Sequence, residues 1–143
     1  MILADVSVLI YAFRQDVPQH AICNAWLNRV VANDPDFGVS LLALGAVARV
    51  TTDQRIYEKP SSLDEVFAFA DYLLGQPNCK IVEPGARHWD IFRSLSLATN
   101  TGGRRVSDNW YAALAIEWDC EWITFDRDYA RFPGLKWRTP EAA

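Results

Sequence analysis

At 143 residues and 16.2 kDa the chain is the size of one domain, expected to span residues 1–143, and half of its residues are hydrophobic, which suits a packed core and excludes a disordered chain. A formal charge of −4 and a pI near 5.1 exclude a protein that coats nucleic acid with its whole surface, since such proteins are strongly basic. An enzyme that holds nucleic acid locally is not excluded. The N-terminal run opens without Lys or Arg and carries Asp5, so it makes a poor signal peptide, and no stretch approaches the roughly 18 apolar residues of a membrane helix. The expected location is the cytoplasm, away from membranes. Cys23, Cys79 and Cys120 are odd in number and widely spaced, and they read as small buried hydrophobes rather than zinc or redox ligands.

In chain order, Ile2 to Ala4 forms a short apolar strand ending on Asp5, after which Ser7 is expected to cap a helix running to about Phe13. Pro18 opens a second helix, with Ile22, Trp26, Leu27, Val30 and Val31 on one side, and Asn33-Asp34-Pro35-Asp36 breaks it. Phe37 to Val39 is a second strand, and Ser40 caps an apolar helix over Leu41 to Val50. A polar loop from Thr51 to Pro60 leads to Ser61 or Ser62, either of which can cap a helix that lasts until Gly75. Lys80 to Val82 is a third strand. A helix with Trp89, Phe92, Leu95 and Leu97 follows and closes at Asn100 to Gly103. Ser107 is expected to cap the next helix, which leads to the strand Glu121 to Thr124, with a further strand candidate at Leu135 to Trp137. Short apolar strands alternating with helices predict a three-layer α/β/α sandwich around a mostly parallel sheet of four or five strands.

In such a sheet, ligands gather at the carboxyl ends of the strands near a switch in strand order. Asp5 and Asp126 fall at strand ends, Asp108 lies at a helix start, and Asp128 stands two residues past Asp126. Each acid has an ordinary alternative role, as a first-turn acid for Asp108 and as part of a polar turn for Asp126 and Asp128. Asp5 is the exception, because a carboxylate embedded in Leu3-Ala4-Asp5-Val6 costs stability unless it is capping or liganded. Carboxylates packed together raise one another's pKa unless a cation joins them. A hard divalent ion such as Mg2+ would serve, and phosphodiester hydrolysis is the reaction it would best support.

The segment Ile2-Leu3-Ala4-Asp5-Val6-Ser7-Val8-Leu9-Ile10-Tyr11-Ala12 resembles the first motif of VapC-type PIN-domain toxins, in which an apolar strand delivers an Asp followed two residues later by Asn or Ser. Val106-Ser107-Asp108-Asn109-Trp110-Tyr111-Ala112-Ala113-Leu114-Ala115 resembles their later Asp-bearing helix start. Ile123-Thr124-Phe125-Asp126-Arg127-Asp128, running on to Phe132-Pro133-Gly134-Leu135, is similar to their closing motif. The resemblance implies a PIN-like sandwich, a magnesium- or manganese-dependent ribonuclease, frequent homodimers, and neutralisation by a small VapB-like antitoxin. It matches Asp5 and Asp108 to the metal-binding acids, Asp126 to the acid of the closing motif, and Ser7 to the polar residue that supports the first Asp, with Asp128 as a further supporting acid. The chain departs from the family where a helical Glu is usual. Val39 to Val50 contains no acid, and Ala46 stands three residues ahead of Arg49.

Arg49, Arg104 and Arg105 are candidates for holding RNA phosphates, with Gly102-Gly103 allowing close backbone approach; solvated surface charge is the alternative. The six tryptophans read as packing or dimer contacts before stacking platforms. The missing Glu leaves a second possibility, a catalytically weak PIN-like module that binds RNA or antitoxin without efficient cleavage. A phosphatase with Asp5 as nucleophile is disfavoured by Ser7 in place of the second acid of a D-x-D pair.

Overall fold

The computed structural model describes residues 1–142. Five parallel strands form one sheet: β1 (Ile2–Ala4), β2 (Phe37–Val39), β3 (Cys79–Ile81), β4 (Glu121–Ile123) and β5 (Trp137–Arg138), in the spatial order β3-β2-β1-β4-β5. Six α-helices connect them among the described residues: α1 (Val6–Phe13), α2 (His20–Asn33), α3 (Leu41–Thr51), α4 (Leu63–Leu74), α5 (His88–Thr99) and α6 (Val106–Glu117). The chain steps outward from β1 through β2 to β3, then returns to pair β4 with the free side of β1. Because parallel crossovers are right-handed, outward and return steps place their helices on opposite faces. α1 packs on α2 and α3, while α5 packs on α6, so the expected α/β sandwich is present.

Both strand neighbours of β1 are hydrogen-bonded to it, so its residues are buried on both faces and its sequence is apolar throughout. Gly38 in β2 lies so close to β1 and β3 that a Cβ there would stand 2.8 Å from Val82 and 3.2 Å from the Ile2 carbonyl. Beneath the carboxyl edge of the sheet runs an aromatic column. Tyr111 stacks on Trp122 at 5.6 Å between ring centroids, Trp122 meets Tyr129 at 5.4 Å, and Tyr129 meets Phe132 at 5.7 Å.

Several local expectations are met. The Ser40 hydroxyl caps α3 by accepting from the Ala43 amide, Ser62 and Glu65 form a reciprocal capping box on α4, and left-handed Asn100 ends α5. Others need correction. Ser7 does not cap α1, because the helix starts at Val6 and Asp5 holds the N-cap position with its carboxylate turned elsewhere. Ser107 does not cap α6, which starts at Val106 after a single 3-10 turn over Gly103–Arg105; its hydroxyl instead donates to the Arg104 carbonyl. α2 begins at His20, beyond Pro18, β3 is displaced by one residue from the predicted span, and β5 covers Trp137–Arg138 in place of Leu135 to Trp137. Of the tryptophans, Trp26 and Trp122 are buried, whereas Trp89 and Trp118 are exposed. Cys23 and Cys120 are buried, Cys79 is partly so, and all three thiols are free.

Candidate active site

The strand order reverses between β1 and β4, and that is where the acids gather. The Asp5 amide donates to the Ile123 carbonyl at 2.9 Å, extending the β1–β4 ladder by one rung and delivering the Asp5 side chain just past the strand. Thr124, fully buried at the corresponding end of β4, donates its hydroxyl to Asp5 Oδ2 at 2.6 Å. The same hydroxyl accepts from the Asp126 amide at 3.0 Å, so one oxygen ties the two strand-end acids together.

Burial pushes the Asp5 carboxyl up from its ordinary 3.8 to about 6, although the Thr124 hydroxyl and the Val6 amide pull it down; the charges of Asp108 and Asp126 raise it further. Asp5 therefore sits in the field of both other acids. Asp108 enters from the first turn of α6, where Tyr129 donates its hydroxyl to Oδ1 at 3.2 Å. Burial first, then the charges of Asp5 and Asp108, push the Tyr129 hydroxyl far above its usual value and that of Tyr111 to about 12, which keeps both phenols protonated. Asp126 is exposed and caps the 3-10 turn Arg127–Arg131 by accepting from the Asp128 amide at 2.9 Å.

Two arginines partly offset this negative charge. Arg105 reaches Asp108 Oδ2 at 3.7 Å and Asp128 Oδ2 at 2.8 Å, and Arg131 Nη2 lies 3.5 Å from Asp108 Oδ2. Asp128 is thus the partner of an arginine, set to the side of the Asp5–Asp108–Asp126 group. Ser7 sits within α1 and makes no side-chain hydrogen bond among the described residues; the hydroxyl on Asp5 is that of Thr124. Arg104 and Arg49 are exposed and form no ion pair among the described residues, while Arg105 is drawn into the acid group.

Thr124, Tyr129 and Arg131 are the neighbours that the sequence reading passed over. Their signal was faint, since Thr124 read as the end of a strand and Tyr129 and Arg131 carried no reading of their own. For Thr124 a usable clue existed: a hydroxyl residue ending an apolar strand two positions before an Asp can serve both backbone and carboxylate.

Asp5 fits a divalent cation as partner, for it is a mostly buried carboxyl with two acids acting on it and only hydroxyl and amide donors in contact. Among the described residues no three His, Cys, Asp or Glu side chains converge tightly enough to enclose a metal ion. The fit is thus to an ion held by one or two carboxylates and completed by water and substrate, the manner in which magnesium is usually held. Ala46, where the family's Glu would stand, is partly buried on α3 and supplies no oxygen.

Residues 2–135 match the PIN domain model. The chain is 36% identical over 140 residues to a VapC ribonuclease of Mycobacterium bovis, covering 98% of this chain and 95% of that protein. It is also 36% identical over 136 residues to ribonuclease VapC25 of Mycobacterium tuberculosis, covering 95% and 96%. Its fold is similar to that in the crystal structure of VapBC2 from Rickettsia felis bound to a promoter DNA fragment, with a TM-score of 0.72 and 16% identity over 97% of this chain and 98% of that one. It is also similar to VapC20 of Mycobacterium tuberculosis, a sarcin-ricin loop cleaving toxin, with a TM-score of 0.68 and 13% identity over 94% and 98%. With a parallel sheet in a fold like theirs, strand-end acids at its switch point, and relatives alike over nearly its whole length, the chain belongs to the PIN-domain family and, within it, to the VapC ribonucleases.

Proposed function

We propose that this protein hydrolyses RNA phosphodiester bonds as the toxin of a VapBC-like toxin-antitoxin pair, using one Mg2+ or Mn2+ ion held by Asp5 and Asp108 with Asp126 at its edge. The observation that carries this reading is the Asp5 carboxyl, mostly buried at the switch point with its pKa raised to about 6 and the charges of Asp108 and Asp126 directed at it. A fold spends stability on such a group where function needs it.

The ion, when bound, supplies Lewis-acid activation of a water and neutralises the developing charge on the leaving oxygen. The protein's own share is orientation. Thr124 fixes the Asp5 carboxylate, Tyr129 fixes that of Asp108, and the turn over Arg127–Arg131 holds Asp126. The carboxyl edge of the sheet keeps them together because the elements that carry them meet in one core.

The partners that go with this reading are an RNA substrate, a small VapB-like antitoxin and a second copy of the chain in a homodimer, in the cytoplasm. No helix among the described residues is long and apolar enough to cross a membrane. One observation favours the weaker reading of an RNA- or antitoxin-binding module: Asp108 already has two arginines beside it, and α3 offers no acid. Incubating the purified chain with RNA in magnesium, in manganese and in EDTA, alongside Asp5→Asn, tests the proposal. Cleavage that needs the metal and is lost in the variant is the expected result; binding without cleavage in either metal would leave only the module. Expression of the chain alone should arrest growth, and co-expression of the antitoxin should restore it.

A further inference from the structure

The guanidinium of Arg131 is held firmly on one side and, on the other, meets Asp108 as a long ion pair without a hydrogen bond. Its carbon sits 4.2 Å from the centroid of the buried Phe132 ring, and Nη1 donates to the Asp128 carbonyl at 2.6 Å. The opposite edge, Nε and Nη2, is buried, and neither nitrogen has a hydrogen-bond partner among the described residues. Leaving two donors of a charged group unsatisfied is costly, so this edge is shaped for an acceptor. Nε–H and Nη2–H point in parallel, at the spacing of two oxygens on a carboxylate or phosphate.

Asp108 is the nearest anion and does not fill the fork. Its Oδ2 lies 3.5 Å from Nη2 and is shared with Arg105 Nε at 3.7 Å, while Oδ1 is engaged by the Tyr129 hydroxyl at 3.2 Å. A second oxygen for Nε is lacking. The fork therefore faces the acid group from a fixed turn, beside the carboxylate whose charge is felt by Asp5.

The geometry points to Arg131 as the residue that seats the substrate phosphodiester, its Nε and Nη2 taking the two non-bridging oxygens, with Asp108 Oδ2 standing in while no substrate is bound. The inference rests on the ribonuclease reading above. Arg105 is half exposed on the other side of Asp108 and paired with Asp128, whereas Arg131 is tied down by Phe132 and the Asp128 carbonyl. Arg131 contributes binding and alignment, and no bond is made to it.

The test measures binding of a fluorescent single-stranded RNA oligonucleotide by anisotropy in the full chain carrying Asp5→Asn, which stops turnover. Into it are placed Arg131→Lys, which keeps the charge and loses the fork, Arg131→Gln, and Arg29→Lys as a control on α2. The expected result is a loss of affinity of about tenfold for Arg131→Lys, as for other bidentate guanidinium sites, and no change for Arg29→Lys. Arg131→Gln should bind more weakly still and lower the salt slope by about one. Melting curves and magnesium titration by calorimetry accompany each variant. If Arg131 were only a counter-ion for Asp108, Arg131→Lys would alter melting or magnesium affinity and leave RNA affinity within twofold of the parent, which would overturn the proposal, as would a parent that does not bind the oligonucleotide. Failure of the unsubstituted chain to cleave RNA in magnesium or manganese would instead overturn the ribonuclease reading, because the seat is scored on binding alone.

Discussion

Thr124 donates its hydroxyl to Asp5 across 119 positions of sequence, at 2.6 Å, and so joins the end of the first strand to the end of the fourth. Removing that hydroxyl with Thr124→Val keeps the shape of the side chain but frees the carboxylate to rotate and leaves the Asp126 amide without its acceptor. We expect cleavage to fall by about tenfold to a hundredfold, a cost of about 1.4 to 2.7 kcal/mol in the transition state, with melting lowered by only about 1 kcal/mol. A variant that keeps full turnover would show that Asp5 needs no such support.

Asp5→Asn should abolish metal-dependent cleavage while preserving the fold, since an amide oxygen can still accept from Thr124. The same substitution gives a prediction about pH. The carboxyl is raised from 3.8 to about 6 in the folded chain, so the folded state binds its proton more tightly than the unfolded state does between those values. Its contribution to stability is present below about pH 3.8 and is lost as pH rises through about 6, and above that the ionised group costs on the order of 3 kcal/mol. In EDTA, Asp5→Asn should therefore melt higher than the parent at pH 7.5 and lose that advantage near pH 4. Equal melting of the two proteins across the whole range would contradict the assigned burial of the charge.

Tyr129→Phe isolates the hydroxyl on Asp108 from the aromatic column beneath it. The ring contacts with Trp122 and Phe132 remain, and only the donor to Oδ1 goes. Magnesium affinity measured by calorimetry should weaken by about threefold to tenfold, in line with one hydrogen bond to a charged group. Unchanged affinity would mean that Asp108 is oriented by its arginines alone.

Ala46→Glu tests the vacancy on α3. With Asp5 and Asp108 as the principal ligands, the unsubstituted chain should hold one ion weakly and need millimolar magnesium or manganese for full activity. An added carboxylate from the second turn of α3 should lower the requirement severalfold where position 46 faces the acids. Calorimetric titration decides the matter, and tight binding of two ions by the unsubstituted, RNA-free chain would show a different ligand set.

The alternation of apolar strands with helices, and the fall of Asp5 and Asp126 at strand ends, could be read from residue order because burial on both faces of a parallel strand leaves an unbroken apolar run in the sequence. Helix starts were legible where a hydroxyl performs the cap, as at Ser40 and Ser62. They were misread at Ser7 and Ser107, where the preceding residue leads straight into the helix: Asp5 is turned toward Thr124, and a 3-10 turn feeds α6. Side-chain pairings between distant segments leave no local trace. Nothing in the order of residues reveals that Arg105 spans Asp108 and Asp128, or that Arg131 packs against Phe132 with two of its three nitrogens lacking a hydrogen bond. The aromatic burial was only half legible, since Trp89 and Trp118 have the spacing of core residues yet lie on the surface.

The register that sets Ile2 against Glu121 also has a meaning in time. A ribosome makes Asp5 first, but the hydroxyl that steadies it comes 119 positions later, after the strand that must lie beside it and before the turn bearing Arg131. A growing chain halted before Trp122 has no β4, and so no pocket in which its first acid can be held.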